Sequence, residues 1–176
     1  PITKISFFRK VLRDLTGITG FRRYSQALIS ILKTDGDNIP DRLKGIWFKI
    51  HGFLITNILI FLAISFFFHW SLYFLLWWLP AFTYYSLIIR IRNIAEHCVT
   101  SGSTDLDNTR TTLTNPIVRF LMAPHRVNYH LEHHLFMMCP WYNLPKAHKM
   151  MIKNGFKDKM CISNSYRSVL NKAVSA

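Results

Sequence analysis

Between Lys49 and Arg90 the chain has no Lys, Arg, Asp or Glu. These 40 consecutive uncharged residues, Ile50 to Ile89, lie in a 176-residue sequence that is 18% charged overall. A water-soluble domain must place charged groups on most of its surface elements, so a run of this length points to lipid. At about 1.5 Å rise per residue and a hydrocarbon core of roughly 30 Å, about 20 residues make one crossing, and the run fits two. The pattern predicts a helical hairpin, its first helix from Trp47 to Phe68 and its second from Leu72 to Ile91. His69, Trp70 and Ser71 form the polar cluster between them, as a turn at the far membrane surface would require. Pro80 is expected to kink the second helix.

The formal net charge is +13 and the isoelectric point near 10.0. Such a balance also occurs in nucleic-acid-binding proteins, but here ten Lys and Arg precede the uncharged run and twelve follow it. A hairpin puts both flanks on one side of the bilayer, and the positive-inside rule makes that side the cytoplasm. The basic excess then reads as topology plus attraction to anionic lipid, with no nucleic-acid partner. Three cysteines (Cys98, Cys139, Cys161), an odd number without a CxxC pair, offer no disulfide framework and suit a reducing cytoplasmic face. The first apolar run is short and basic, unlike a signal peptide, and a chain opening on Pro1 is expected to be a piece of a longer protein.

Three segments follow: a cytoplasmic amphipathic and linker segment over 1–45, the transmembrane hairpin over 46–92, and a cytoplasmic region over 93–176. The expected class is all-α and integral to the membrane. In residues 1–33 the apolar positions recur at roughly helical spacing, interrupted by Gly17 and Gly20, which predicts two short amphipathic helices. They lie on the membrane surface or pack on a cytoplasmic domain; the pattern serves either. Asp35, Gly36, Asp37, Asn38 and Pro40 read as a loop into the hairpin. Arg90 to Val99 continues the second helix beyond the bilayer, and Ser101 to Asn108 is a polar loop. Pro116 to Ala123 suits a short helix capped by Asn115. Beyond Pro124 a second helix is expected to carry His130 to Phe136, with Pro140 and Pro145 ending it in irregular structure. The last thirty residues are basic and weakly amphipathic.

Of eight histidines, four fall within ten residues: His125, His130, His133 and His134. On a helix advancing about 100° per residue, His133 and His134 flank His130 on one face, whereas His125 and Glu132 point away. Three neutral imidazoles on one face suit a transition metal. Each ligating imidazole needs an acceptor for its second N–H; Glu96, Glu132, Asp105 and Asp107 are the nearby carboxylates, and the sequence does not choose among them.

The run Asn128-Tyr129-His130-Leu131-Glu132-His133-His134-Leu135-Phe136, followed by Pro140-Trp141-Tyr142-Asn143-Leu144-Pro145 and His148, resembles the third histidine box of the membrane fatty-acid desaturase family. Arg92-Asn93-Ile94-Ala95-Glu96-His97 is similar to the segment that supplies that family's isolated histidine, and Asn108-Thr109-Arg110-Thr111 to its linker. Pro1-Ile2-Thr3-Lys4 and Leu12-Arg13-Asp14-Leu15-Thr16-Gly17 resemble the stretch after the family's second box. The resemblance implies a non-haem site of two iron ions, metal ligands His97, His130, His133 and His134, and O2-dependent insertion of a double bond into an acyl chain. It implies further histidine boxes before Pro1, so that this fragment alone is expected to be inactive. The implied partners are the lipid bilayer, a fatty acyl substrate and an electron donor such as a ferredoxin or small cytochrome.

The chemistry agrees with that implication. An unactivated C–H bond offers nothing to an acid, a base or a nucleophile, so its oxidation needs an oxidant made from O2 at a metal. Two other functions remain open on the residues: a hydroxylase or ketolase acting on a lipid, carotenoid or alkane, and a non-enzymatic basic membrane hairpin. Asn93, one turn before His97, either reaches the metal face through water or bonds a neighbouring helix. His51 and His69 read as interfacial or packing residues, and His125 and His148 stay ambiguous. Trp77, Trp78, Tyr84 and Tyr85 line an acyl tunnel or form an aromatic belt.

Overall fold

The computed structural model describes residues 2–35, 38–100, 102 and 104–174. Pro1, Gly36 and Asp37 of the loop before the hairpin, and Ser101 and Ser103 of the later polar loop, lie outside the described residues. The chain divides into two compact units, Lys10–Leu87 and a second formed by Pro1–Arg9 with Ile88–Ala176.

The first unit is helical. Helix α1 (Lys4–Leu15) enters it, and the chain then turns at Gly17, whose φ of 82° is the left-handed conformation that glycine adopts without a Cβ clash. Helix α2 (Ile18–Leu32) follows. A Cβ on its Gly20 would stand 2.2 Å from the Phe82 carbonyl oxygen, so the absent side chain is what lets the two backbones touch. Helix α3 (Ile39–Phe67) starts eight residues before the expected Trp47, because the Asn38 side chain accepts the Asp41 N–H at 2.9 Å and Pro40 sits in the first turn. At 29 residues it is about 43 Å long, more than the roughly 30 Å hydrocarbon core needs, and its charged first turns exceed the apolar run. The absence of charge marked the apolar part of this helix, not its ends.

The second long helix is interrupted. Helix α4 (Ser71–Tyr73) passes into a π-helical turn over Phe74–Trp78, then α5 (Leu79–Phe82) and, after a break at Thr83, α6 (Tyr84–His97). Pro80 lacks an N–H for its i−4 carbonyl and its ring crowds that turn; the expected kink takes the form of the π turn before it and the break after it. Arg23 Nη2 donates to the Ala81 carbonyl at 2.9 Å beside this break, with its guanidinium over the Tyr85 ring. Asn57 on α3 accepts from Tyr73 Oη at 2.8 Å and from Trp77 Nε1 at 3.1 Å, tying the hairpin together by polar contacts. Trp78 packs on Tyr24, Phe53 and Phe82, and Tyr84 is exposed. Both long helices are long and apolar enough to cross a membrane, and little of either is buried within the chain, unlike the core helix of a soluble domain.

The second unit packs short elements around the end of α6: β1 (Thr111–Thr112), α7 (Pro116–Met122), α8 (His130–Leu135), α9 (Leu144–Lys153), β2 (Ile162–Ser163) and α10 (Tyr166–Ala173). The chain is mostly helical, but not purely so as the sequence suggested: β1 and β2 pair in parallel, Thr111 with Ile162 and Thr112 with Ser163. Asn115 caps α7 through Val118 N at 2.8 Å, as the sequence suggests. Residues 141–145 are helical rather than irregular, and Pro140 precedes them with φ −57° and ψ 139°. A 3-10 turn over Trp141–Asn143 leads into α9, and Pro145 occupies its first turn, where a missing N–H costs nothing. Two small cores result, one of Ala95, Ala123 and Tyr166, the other of Leu131, Met151 and Met160.

Candidate metal centre

His97 is the last residue of α6, and that helix end is held from outside. The buried Arg110 guanidinium donates to the carbonyls of Ala95 (3.0 Å), Cys98 (2.8 Å) and Val99 (2.7 Å), satisfying acceptors that a helix C-terminus leaves unpaired. His130 and His134 stand one turn apart on α8, four residues being close to one helical turn.

These three imidazoles meet. His130 Nε2 lies 3.0 Å from His97 Nε2 and 3.0 Å from His134 Nε2, and the three ligand atoms fall within 4.8 Å of one another. With metal–nitrogen bonds of about 2.1 Å, nitrogens at right angles about one ion are about 3 Å apart, so the donor set fits a first-row transition metal. His133 also projects from the exposed side of α8, its ring centroid 6.1 Å from that of His130 and 5.9 Å from that of His134, but its nitrogens lie outside the group of ligand atoms within 4.8 Å of one another.

His130 is pushed down to about 3 by burial first, then by the neighbouring His134, His97, His133 and Arg92. The imidazole is thereby kept neutral, the form that binds a metal. Its Nδ1 is 3.8 Å from the buried Glu96 carboxylate, which Arg92 Nε fixes at 3.0 Å from the previous turn. The carboxylate behind His130 is therefore Glu96. Tyr166, packed beside Ala95, has a buried hydroxyl without a hydrogen-bond partner among the described residues; burial and the Glu96 charge push it up to about 12.

The other carboxylates do different work. Glu132 does point away from the histidine face: it is fully buried and accepts from His148 Nδ1 at 2.5 Å and from the Thr111 hydroxyl. Asp107 accepts from Thr104 N at 2.6 Å in the loop. Asp105 lines a polar cavity of about 250 Å³ with Asn108, Thr109, His134 and Leu135.

His125 is not on the box helix at all. It and Arg126 adopt φ of 53° and 58° in a 3-10 turn that separates α7 from α8, and the His125 ring packs on Trp141 at 5.2 Å. In the other unit, His51 Nδ1 lies 2.9 Å from the Trp47 carbonyl and His69 Nδ1 lies 2.8 Å from Ser71 Oγ. Asn93 is exposed on α6. Arg92, Arg110 and Thr111 stand inside motifs read from the sequence, but no role was assigned to them there. The spacing of Arg92 and Glu96, one helical turn apart, was the available signal for the first.

The fatty acid desaturase family model matches residues 2–159, which include both long apolar helices and every histidine of the cluster. No curated protein and no solved structure matches the chain. With most of its length matched and three imidazoles of the matched segment converging on one point, the chain belongs to the fatty acid desaturase family.

Proposed function

We propose that the chain is the carboxyl-terminal part of an integral-membrane desaturase that introduces a double bond into an acyl chain with O2 and two non-haem iron ions. The observation that carries the reading is the meeting of His97, His130 and His134 nitrogens in a chain of this family. His133, beside the trio on the exposed side of α8, is the fourth ligand of the two-ion site, and the remaining ligands come from elsewhere in the full-length protein. Iron bound there supplies the oxidising power that an unactivated C–H bond demands.

The protein's own residues prepare that site. Burial keeps His130 neutral, Glu96 offers its Nδ1–H a negative partner, and Arg110 holds the helix end that presents His97. The reaction takes two hydrogens from the acyl chain and uses one O2, two electrons and two protons to leave two waters. The hairpin, within 46–92, spans the bilayer, and both termini and the histidine box face the cytoplasm, where the Lys and Arg residues gather. That basic face receives a ferredoxin or small cytochrome.

Lipid profiling of cells expressing the full-length protein tests this reading. New double bonds that vanish in the His130→Ala variant are expected. Unchanged double-bond content with new hydroxylated or keto lipids would overturn it in favour of a related oxidase.

A further inference from the structure

Helix α8 is six residues long and has no side-chain cap at either end. A helix this short does not hold itself together in water, so its orientation must be imposed by its neighbours. Counting from His130, His133 and His134 fall at about 300° and 40° around the helix axis, and Leu131 and Glu132 at about 100° and 200°. Glu132 therefore faces away from the histidines and Leu131 lies to the side of His134; both are buried.

Leu131 packs on Met151 and Met160, a non-directional contact that leaves rotation about the axis soft. Glu132 is directional. One carboxylate oxygen accepts from His148 Nδ1 on α9 at 2.5 Å, and the other accepts from the Thr111 hydroxyl on β1. A carboxylate only accepts, so His148 carries a proton on Nδ1. The His148 ring lies 5.4 Å from that of Tyr129, the residue immediately before the box, and Tyr129 also bridges to Thr111. One buried side chain thus ties α8 to two other elements at a fixed heading. Loss of either donor leaves part of a buried carboxylate unpaired. Turning the helix would relieve that cost, and the same turn would carry His130 and His134 away from His97.

We propose that His148 is a positioning residue for the imidazole cluster: its hydrogen bond to Glu132, together with that of Thr111, sets the rotation of the box helix and so the spacing of His97, His130 and His134. The role rests on the metal-site reading above.

The test uses the full chain in lipid nanodiscs, titrated with cobalt(II) alone and followed by its visible d–d spectrum. A metal-free arm maps histidine carbethoxylation by diethylpyrocarbonate with mass spectrometry. His148→Ala is expected to weaken cobalt binding by about tenfold or more, to shift the d–d bands, and to raise His130 labelling toward that of the exposed His133. His148→Asn, whose amide N–H can stand where Nδ1 stood, should restore most of both signals. A folded His148→Ala protein with the wild-type spectrum and labelling would overturn the proposal, as would a His148→Asn protein no better than the alanine variant. Should His148→Ala fail to fold, Thr111→Val carries the test, and unchanged spectrum and labelling there overturn it. A wild-type chain that binds no cobalt would sink the metal reading, while the labelling pattern still decides the role of His148.

Discussion

His130 stands between two partners, its Nδ1 3.8 Å from the Glu96 carboxylate and its Nε2 turned to the other imidazoles. The negative group on one side favours the tautomer that leaves the metal-facing nitrogen free. Glu96→Gln keeps the shape and removes the charge. Cobalt affinity measured by titration is expected to fall about tenfold with little change in melting temperature.

The low value for His130, about 3 against an ordinary 6.5, makes metal-free stability pH-dependent. Between those values the unfolded chain takes up a proton that the folded chain refuses, so stability falls as pH drops from about 6.5 toward 3 and is unaffected by this group above that window. Melting temperatures of the metal-free protein against pH should show that slope, and His130→Gln should flatten it.

Arg110 supplies three hydrogen bonds to the end of α6. Arg110→Met removes them and leaves three carbonyls short of a donor, at a cost of about 3 kcal/mol or more. Amide hydrogen exchange over 95–100 should accelerate. Arg110→Lys should recover only part of the loss, since one ammonium lacks the guanidinium's fork.

Gly20→Ala sets propensity against packing. In an exposed helix interior the change would stabilise by about 1 kcal/mol, but here the new methyl meets the Phe82 backbone. A lower melting temperature is expected. A higher one would mean that α2 and the second span do not approach each other as described.

Sidedness can be read by labelling. Single cysteines at positions 33 and 104 of the full-length protein should both resist an impermeant reagent added from outside the cell. Labelling of either would reverse or break the two-crossing topology.

The histidine spacing and the uncharged run were legible because each depends on residue type and period alone: charge is excluded from hydrocarbon, and residues four apart share a helix face. Helix α3 began earlier than its apolar run suggested, since a cap is a local hydrogen bond that hydropathy does not register. Among four candidate carboxylates the sequence could not choose for the same reason that it could not foresee Arg110 beneath α6 or His148 behind α8. Glu96 and His130 are far apart in the chain, as are Glu132 and His148. Their pairing follows from how α6, α8, α9 and β1 pack, and only folding brings a buried charge to the partner that makes its burial tolerable.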